Sequence, residues 1–193
     1  MKLFFTLFFG QIFVNNIALT YFLGMCPFVS LSKSLKTAFG MGVAVTLVMT
    51  ITAAINWPLY HYLLSPTTGY NLPFLQYLFF ILVIAASVQV TEVLLDRFSP
   101  VLYTSFGIFL PLITVNCAIL GVSLFIIIRN YNFLETIAFS LGSGIGWLVA
   151  IMAMSGIRTR LKFANVPVAL EGAGITLIIS GLLAFAFMGF AGW

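Results

Sequence analysis

The chain has 193 residues, 62% of them hydrophobic and only 6% charged, whereas soluble domains carry about 25% charged residues. With a mean hydropathy of +1.18 it reads as an integral membrane protein; a span takes about 20 apolar residues, so the length leaves room for at most six or seven spans and no soluble domain. The net charge of +4 rests on too few groups for a nucleic-acid surface, and the one basic run, Arg158-Thr159-Arg160-Leu161-Lys162, is explained by cytoplasmic charge that sets topology.

Six apolar runs follow in order: Leu3 to Met25, Thr37 to Leu64, Pro73 to Leu95, Pro100 to Ile128, Phe133 to Ile157 and Gly172 to Trp193. The first resembles a signal peptide in its opening residues. It continues past Asn15-Asn16 to Gly24, too long for an h-region and without a cleavage motif, so it is expected to be retained. Near its end, Cys26 stands between Gly24 and Pro27. If the spans alternate, the connections after the first, third and fifth hold Lys33, Lys36, Arg97, Arg158, Arg160 and Lys162, while the other side holds only Lys2 and Arg129. The positive-inside rule then places the first set in the cytoplasm and both termini outside.

Within the fourth run, the stretch Phe106 to Phe125 carries Pro111, Asn116, Cys117 and Gly121 and is apolar enough to span. Proline removes a backbone donor and disturbs the preceding turn, so a kink or break is expected near Cys117. Broken helices in membranes are tolerated where they line a site. Val14-Asn15-Asn16-Ile17-Ala18-Leu19 matches Val115-Asn116-Cys117-Ala118-Ile119-Leu120 at an offset of 101, and Ala38-Phe39-Gly40-Met41-Gly42 matches Ala138-Phe139-Ser140-Leu141-Gly142 at 100. The expected fold is therefore all-α: a single transmembrane domain over 1–193, with six helices as an inverted 3+3 repeat (half-repeats about 1–98 and 99–193) and broken first and fourth helices.

From the residues alone, Cys26 and Cys117 admit three readings: a disulfide, two inert thiols, or half of a metal site. Asn15, Asn16 and Asn116 fall inside spans, where they either bond between helices or line the cysteine region. Glu92 reads either as an interfacial acid beside Asp96-Arg97 or as an intramembrane carboxylate on an ion path, and Glu135 and Glu171 stand near span starts, where an acid suits the helix dipole. His61 has no second histidine or cysteine nearby and is expected at the interface. Gly142-Ser143-Gly144-Ile145-Gly146 lacks the lysine and spacing of a phosphate loop; Gly142 and Gly146 read as a small-xxx-small pair for close helix approach.

Val14-Asn15-Asn16, Phe22-Leu23-Gly24-Met25-Cys26-Pro27-Phe28, Gly40-Met41-Gly42, Gly107-Ile108-Phe109-Leu110-Pro111-Leu112-Ile113-Thr114-Val115-Asn116-Cys117-Ala118 and Asn165-Val166-Pro167 together resemble the NqrE/RnfA family. These are membrane subunits of the Na+-translocating NADH:quinone reductase and of the Rnf ferredoxin:NAD+ reductase. Cys26-Pro27-Phe28 and Ser99-Pro100-Val101-Leu102-Tyr103 look like RnfA; Ile55-Asn56-Trp57, Asn130-Tyr131-Asn132-Phe133 and Gly142-Ser143-Gly144-Ile145-Gly146-Trp147 look like NqrE, whose matches extend through the C-terminal half.

The resemblance implies a component of a translocase in the bacterial cell inner membrane, inactive alone. It implies a [2Fe-2S] cluster held jointly with a paralogous six-helix subunit, NqrD-like or RnfE-like, the family's cysteines falling on Cys26 and Cys117. It also implies flavins and further iron-sulfur clusters in other subunits. Gly24, Pro27, Pro111, Asn15, Asn16 and Asn116 are the expected lining of that site. A secondary transporter, with its inverted repeat rocking about a midplane site, is the competing class, and a passive scaffold is the third.

Overall fold

The computed structural model describes residues 2–64, 73–98, 113–161, 163–164, 167, 170 and 172–191. Among the described residues all regular structure is helical, as hydrocarbon demands, because a helix satisfies its backbone N–H and C=O groups internally. In chain order the helices are α1 (Lys2–Phe13), α2 (Ile17–Thr20), α3 (Met25–Leu31), α4 (Leu35–Leu59), α5 (Pro73–Phe98), α6 (Cys117–Ile128), α7 (Phe133–Leu161) and α8 (Ala173–Ala191).

Among the described residues three stretches are long and apolar enough to cross a bilayer: Leu35–Tyr62, Leu75–Val93 and Phe133–Leu161. α1, α6 and α8 are shorter apolar helices. The first apolar run, expected to span from Leu3 to Met25, is instead divided into α1, α2 and α3, with the first break at Val14 to Asn16. α1 and α6 have 12 residues each, so each rises about 18 Å and ends within a hydrocarbon layer about 30 Å thick. Pro111, expected to kink the fourth run, lies outside the described residues.

α7 is the most enclosed of the three long helices and α5 the least. Glycines explain how close its neighbours come. A Cβ at Gly142 would stand 2.7 Å from the Phe8 carbonyl oxygen, and one at Gly146 would stand 2.9 Å from that of Gln11. The expected small-xxx-small pair thus forms the contact with α1. On another side Gly42 faces Leu148 and Gly144 faces Thr46. These pairings make α7 parallel to α1 and antiparallel to α4, the directions that alternating spans give to a first, second and fifth crossing. Trp147, Met41, Val45, Met49, Ile151 and Met154 fill the core around this crossing.

The turns carry their own fastenings. The Asn132 N–H donates to Glu135 Oε2 at 3.0 Å and the Thr136 N–H to the Asn132 carbonyl at 2.8 Å, which starts α7 with an acid in its first turn, as expected for Glu135. α4 contains Pro58 and continues as a wider helical turn over Tyr60–Leu64. There the ring of His61 stacks on Trp57, whose indole N–H donates to the Tyr131 carbonyl at 2.7 Å. His61 is exposed at this helix end, consistent with an interfacial position. In the turn after α6, Arg129 donates to the Tyr131 hydroxyl at 3.2 Å, and this bond holds its guanidinium above the usual arginine range.

Candidate functional site

Two asparagines terminate the helix interruptions in the same way. At the end of α1 the N–H groups of Val14 and Asn15 both reach the Gly10 carbonyl, at 3.0 and 2.8 Å. Asn16 then turns to extended backbone, and its Oδ1 accepts the Ala18 N–H at 3.1 Å, capping α2. Before α6, the Asn116 N–H donates to the Ile113 carbonyl at 3.1 Å; Asn116 is extended as well, and its Oδ1 accepts the Ala118 N–H at 3.0 Å. An asparagine just ahead of a helix supplies the acceptor that the first orphan N–H groups lack. The two caps are 100 residues apart. This spacing differs by one residue from the offset of 101 at which the Val14-to-Leu19 string matches.

The two asparagines differ in their Nδ2 groups. That of Asn16 donates to the Ile12 carbonyl at 3.2 Å and to the Gly146 carbonyl on α7 at 2.7 Å. That of Asn116 is buried and has no partner among the described residues. Asn16 thus bonds between helices, whereas Asn116 lies against Gly24 and directly precedes Cys117. Asn15 is half-buried and contributes its backbone N–H to the first break.

The segment between α2 and α3 brings the start of α3 against Cys117. It runs antiparallel along α6: the ring of Tyr21 lies 5.0 Å from that of Phe125, Leu23 fills the space left by Gly121, and Gly24 lies against Ala118. The chain reverses here through two left-handed residues, Phe22 at φ 53° and Gly24 at φ 78°. At Gly24 a side chain is also excluded by space, since a Cβ would stand 2.7 Å from Trp147 Nε1 and 2.9 Å from Asn116 Oδ1. The Gly24 N–H donates to Cys117 Sγ at 2.9 Å. Cys26 follows two residues later, in the first turn of α3, and Cys117 opens α6. Pro27 is buried in the first turn of α3, where its missing N–H is one that no intrahelical carbonyl would have accepted.

Both thiols are free and exposed, which excludes a disulfide between them in this structure. Cys117 accepts a backbone N–H at the start of α6, and two buried N–H groups without acceptors among the described residues, Trp147 Nε1 and Asn116 Nδ2, belong to the side chains that surround Gly24. Among the described residues no set of three or more His, Cys, Asp or Glu converges. The donor set is thus two outward-facing sulfurs held by buried neighbours. An iron-sulfur cluster takes four thiolates, so these residues fit half of such a site, with the other ligands arriving from outside the chain.

Sequence reasoning located both cysteines, the asparagines, Gly24 and Pro27, but missed Trp147 and Arg158. Trp147 directly follows Gly142-Ser143-Gly144-Ile145-Gly146, the run that packs closely on α1 and α4, and that adjacency was the signal for it. Arg158 was read only as topological charge, yet it donates to the Val29 carbonyl and the Ser32 hydroxyl at the far end of α3.

A family model described as the Rnf-Nqr subunit, a membrane protein, matches residues 4–193. The chain is 52% identical over 195 residues to a protein of Serratia proteamaculans (strain 568) named as the E subunit of Na(+)-translocating NADH-quinone reductase, covering 100% of this chain and 98% of that one. It is 51% identical to the protein of that name from Yersinia enterocolitica, with the same coverage. The corresponding protein of Nitrosomonas europaea is 51% identical over 193 residues, covering 96% of each chain. The chain belongs to the Rnf-Nqr family of membrane proteins.

Proposed function

We propose that this protein is the NqrE-like membrane component of a Na+-translocating NADH:quinone oxidoreductase, inactive alone, and that Cys26 and Cys117 supply half the ligands of a [2Fe-2S] cluster shared with a paralogous subunit of the NqrD kind. The observation that carries the reading is the Gly24 N–H to Cys117 Sγ bond of 2.9 Å, which draws the two thiol-bearing helix starts together at an exposed face. The names of the relatives favour the Nqr branch over the RnfA alternative. The equivalent caps at Asn16 and Asn116 support an inverted 3+3 repeat with half-repeats about 1–98 and 99–193. The charge distribution supports a bacterial inner-membrane orientation with both termini outside. Flavins and further iron-sulfur clusters belong to other subunits in this reading.

A cluster so placed supplies a one-electron stop inside the bilayer. The chain's own residues do the holding. α7 fixes the first break through the Gly146 carbonyl and Asn16; α6 presents Cys117 at its capped start; Gly24 gives Cys117 a donor; and Trp147 with Phe28, their rings 6.3 Å apart, packs behind the segment. Donors to a ligand sulfur favour the more negative, reduced state.

The test is to isolate the assembly through a tag on this chain and reconstitute it in vesicles. NADH with a ubiquinone analogue is expected to drive sodium movement, and a paralogous six-span protein is expected to copurify. A chain that isolates alone, colourless, and mediates solute uptake would overturn the reading in favour of a secondary transporter.

A further inference from the structure

α3 is seven residues long, and a helix shorter than about 12 residues is marginal unless something holds it. Its final carbonyls have no intrahelical N–H to accept. Arg158, in the last turn of α7, reaches this end of α3: Nη1 donates to the Val29 carbonyl at 2.7 Å and to the Ser32 hydroxyl at 2.8 Å. Ser32 is fully buried, and its own hydroxyl lies 3.5 Å from the same Val29 carbonyl. A cation there complements the negative end of the helix. At the opposite end, the Gly24 N–H is held on Cys117. α3 is therefore a short strut pinned at both ends, with Cys26 in its first turn.

We infer that Arg158 is a positioning residue for Cys26: it sets the place of that sulfur beside Cys117 by latching the far end of α3 to α7. Val29 is three residues from Cys26, about 4.5 Å along the helix, so displacement at the latch passes to the sulfur with little loss. A purely topological role would make Arg158 equivalent to Arg160, which is exposed two residues later and makes no such contact with α3. The functional consequence rests on the reading of Cys26 as a cluster ligand; the latch itself does not.

The experiment is hydrogen exchange, read by mass spectrometry on peptides covering 24–34, in the full complex carrying R158Q, R158K or R160Q, together with the midpoint potential of the complex's [2Fe-2S] signals. Loss of a charge-assisted latch is expected to speed exchange in α3 about tenfold, with α4 and α6 unchanged, partial restoration by R158K, no effect of R160Q, and a shifted potential in R158Q alone. Unchanged α3 exchange in R158Q overturns the inference, as does an equal effect of R160Q. Should R158Q fail to accumulate, S32A removes one acceptor and is expected to speed α3 exchange about threefold, and no change there counts against the latch. Faster α3 exchange in a complex whose wild type has no cluster ligated by Cys26 would sustain the latch and refute the cluster reading.

Discussion

The two helix-capping asparagines provide a paired prediction, because the same substitution removes different interactions at each. Asn16→Ala removes an N-cap, worth about 1 kcal/mol, and two Nδ2 bonds to the Ile12 and Gly146 carbonyls, worth about 0.6 kcal/mol each by the average for bonds inside membrane proteins. The total is about 2 kcal/mol. Asn116→Ala removes a cap of the same kind, but it also removes a buried amide donor that has no partner, and eliminating an unsatisfied donor returns part of the cost. Its net effect is under about 1 kcal/mol. At about 2 to 4 °C per kcal/mol for a chain of this size, Asn16→Ala is expected to lower the apparent melting temperature by about 4 to 8 °C and Asn116→Ala by less than half as much. Scanning fluorimetry of the purified complex in one detergent measures both. Equal losses, or a larger one for Asn116→Ala, would refute the argument that Asn16 fastens α7 while Asn116 serves the cysteine region.

Other substitutions test single contacts. Gly24→Ala puts a Cβ at left-handed φ, costing about 1 to 2 kcal/mol, and drives it against Trp147 and Asn116; the complex is expected to assemble in lower yield with less iron, as measured by elemental analysis. Gly144→Val pushes against the Thr46 backbone 2.9 Å away and is expected to cost about 1 to 3 kcal/mol by overpacking, whereas Gly156→Ala, with nothing within 4 Å, is expected to be neutral or stabilising by up to about 1 kcal/mol; denaturation midpoints separate the two. For topology, single cysteines at Lys33 and Phe163 are expected to label from the cytoplasm and one at Asn130 from outside; labelling of Lys33 and Asn130 from one side in intact cells would sink the alternating arrangement.

What could be read from the sequence followed the type of interaction. Apolar runs with few charges dictate helices in hydrocarbon, so α4, α5, α7 and α8 lie where expected, within a few residues at each end. Gly142 and Gly146 announced close approach, and the structure shows α1 occupying the space. The breaks were legible as polar or helix-breaking residues inside apolar runs; the one expected near Cys117 falls directly before it, at Val115 to Asn116, while those of the first run were not placed. The first run is interrupted twice, at Val14 to Asn16, where a turn brings Asn16 to both Ala18 and Gly146, and again just ahead of Met25, at Phe22 to Gly24. The approach of the start of α3 to Cys117 depends on the reversal at Phe22 and Gly24, which is decided by the packing of Tyr21 and Leu23 on α6. The role of Arg158 was hidden for the same reason: its partners are a backbone carbonyl and a serine more than 120 residues distant in the chain.

The central claim, that two exposed thiols at adjacent helix starts hold half of a shared cluster, is tested most directly by Cys26→Ser and Cys117→Ser in the assembled complex. Hydroxyl replaces thiol at nearly equal volume, and both side chains are exposed, so folding and subunit composition are expected to persist. Iron content and electron paramagnetic resonance of the reduced complex, measured against wild type, should show the loss of two irons per complex and of one [2Fe-2S] signal in each variant, with NADH oxidation by the other subunits retained and quinone reduction strongly impaired. Full iron content and an unchanged set of signals in either variant would contradict the account.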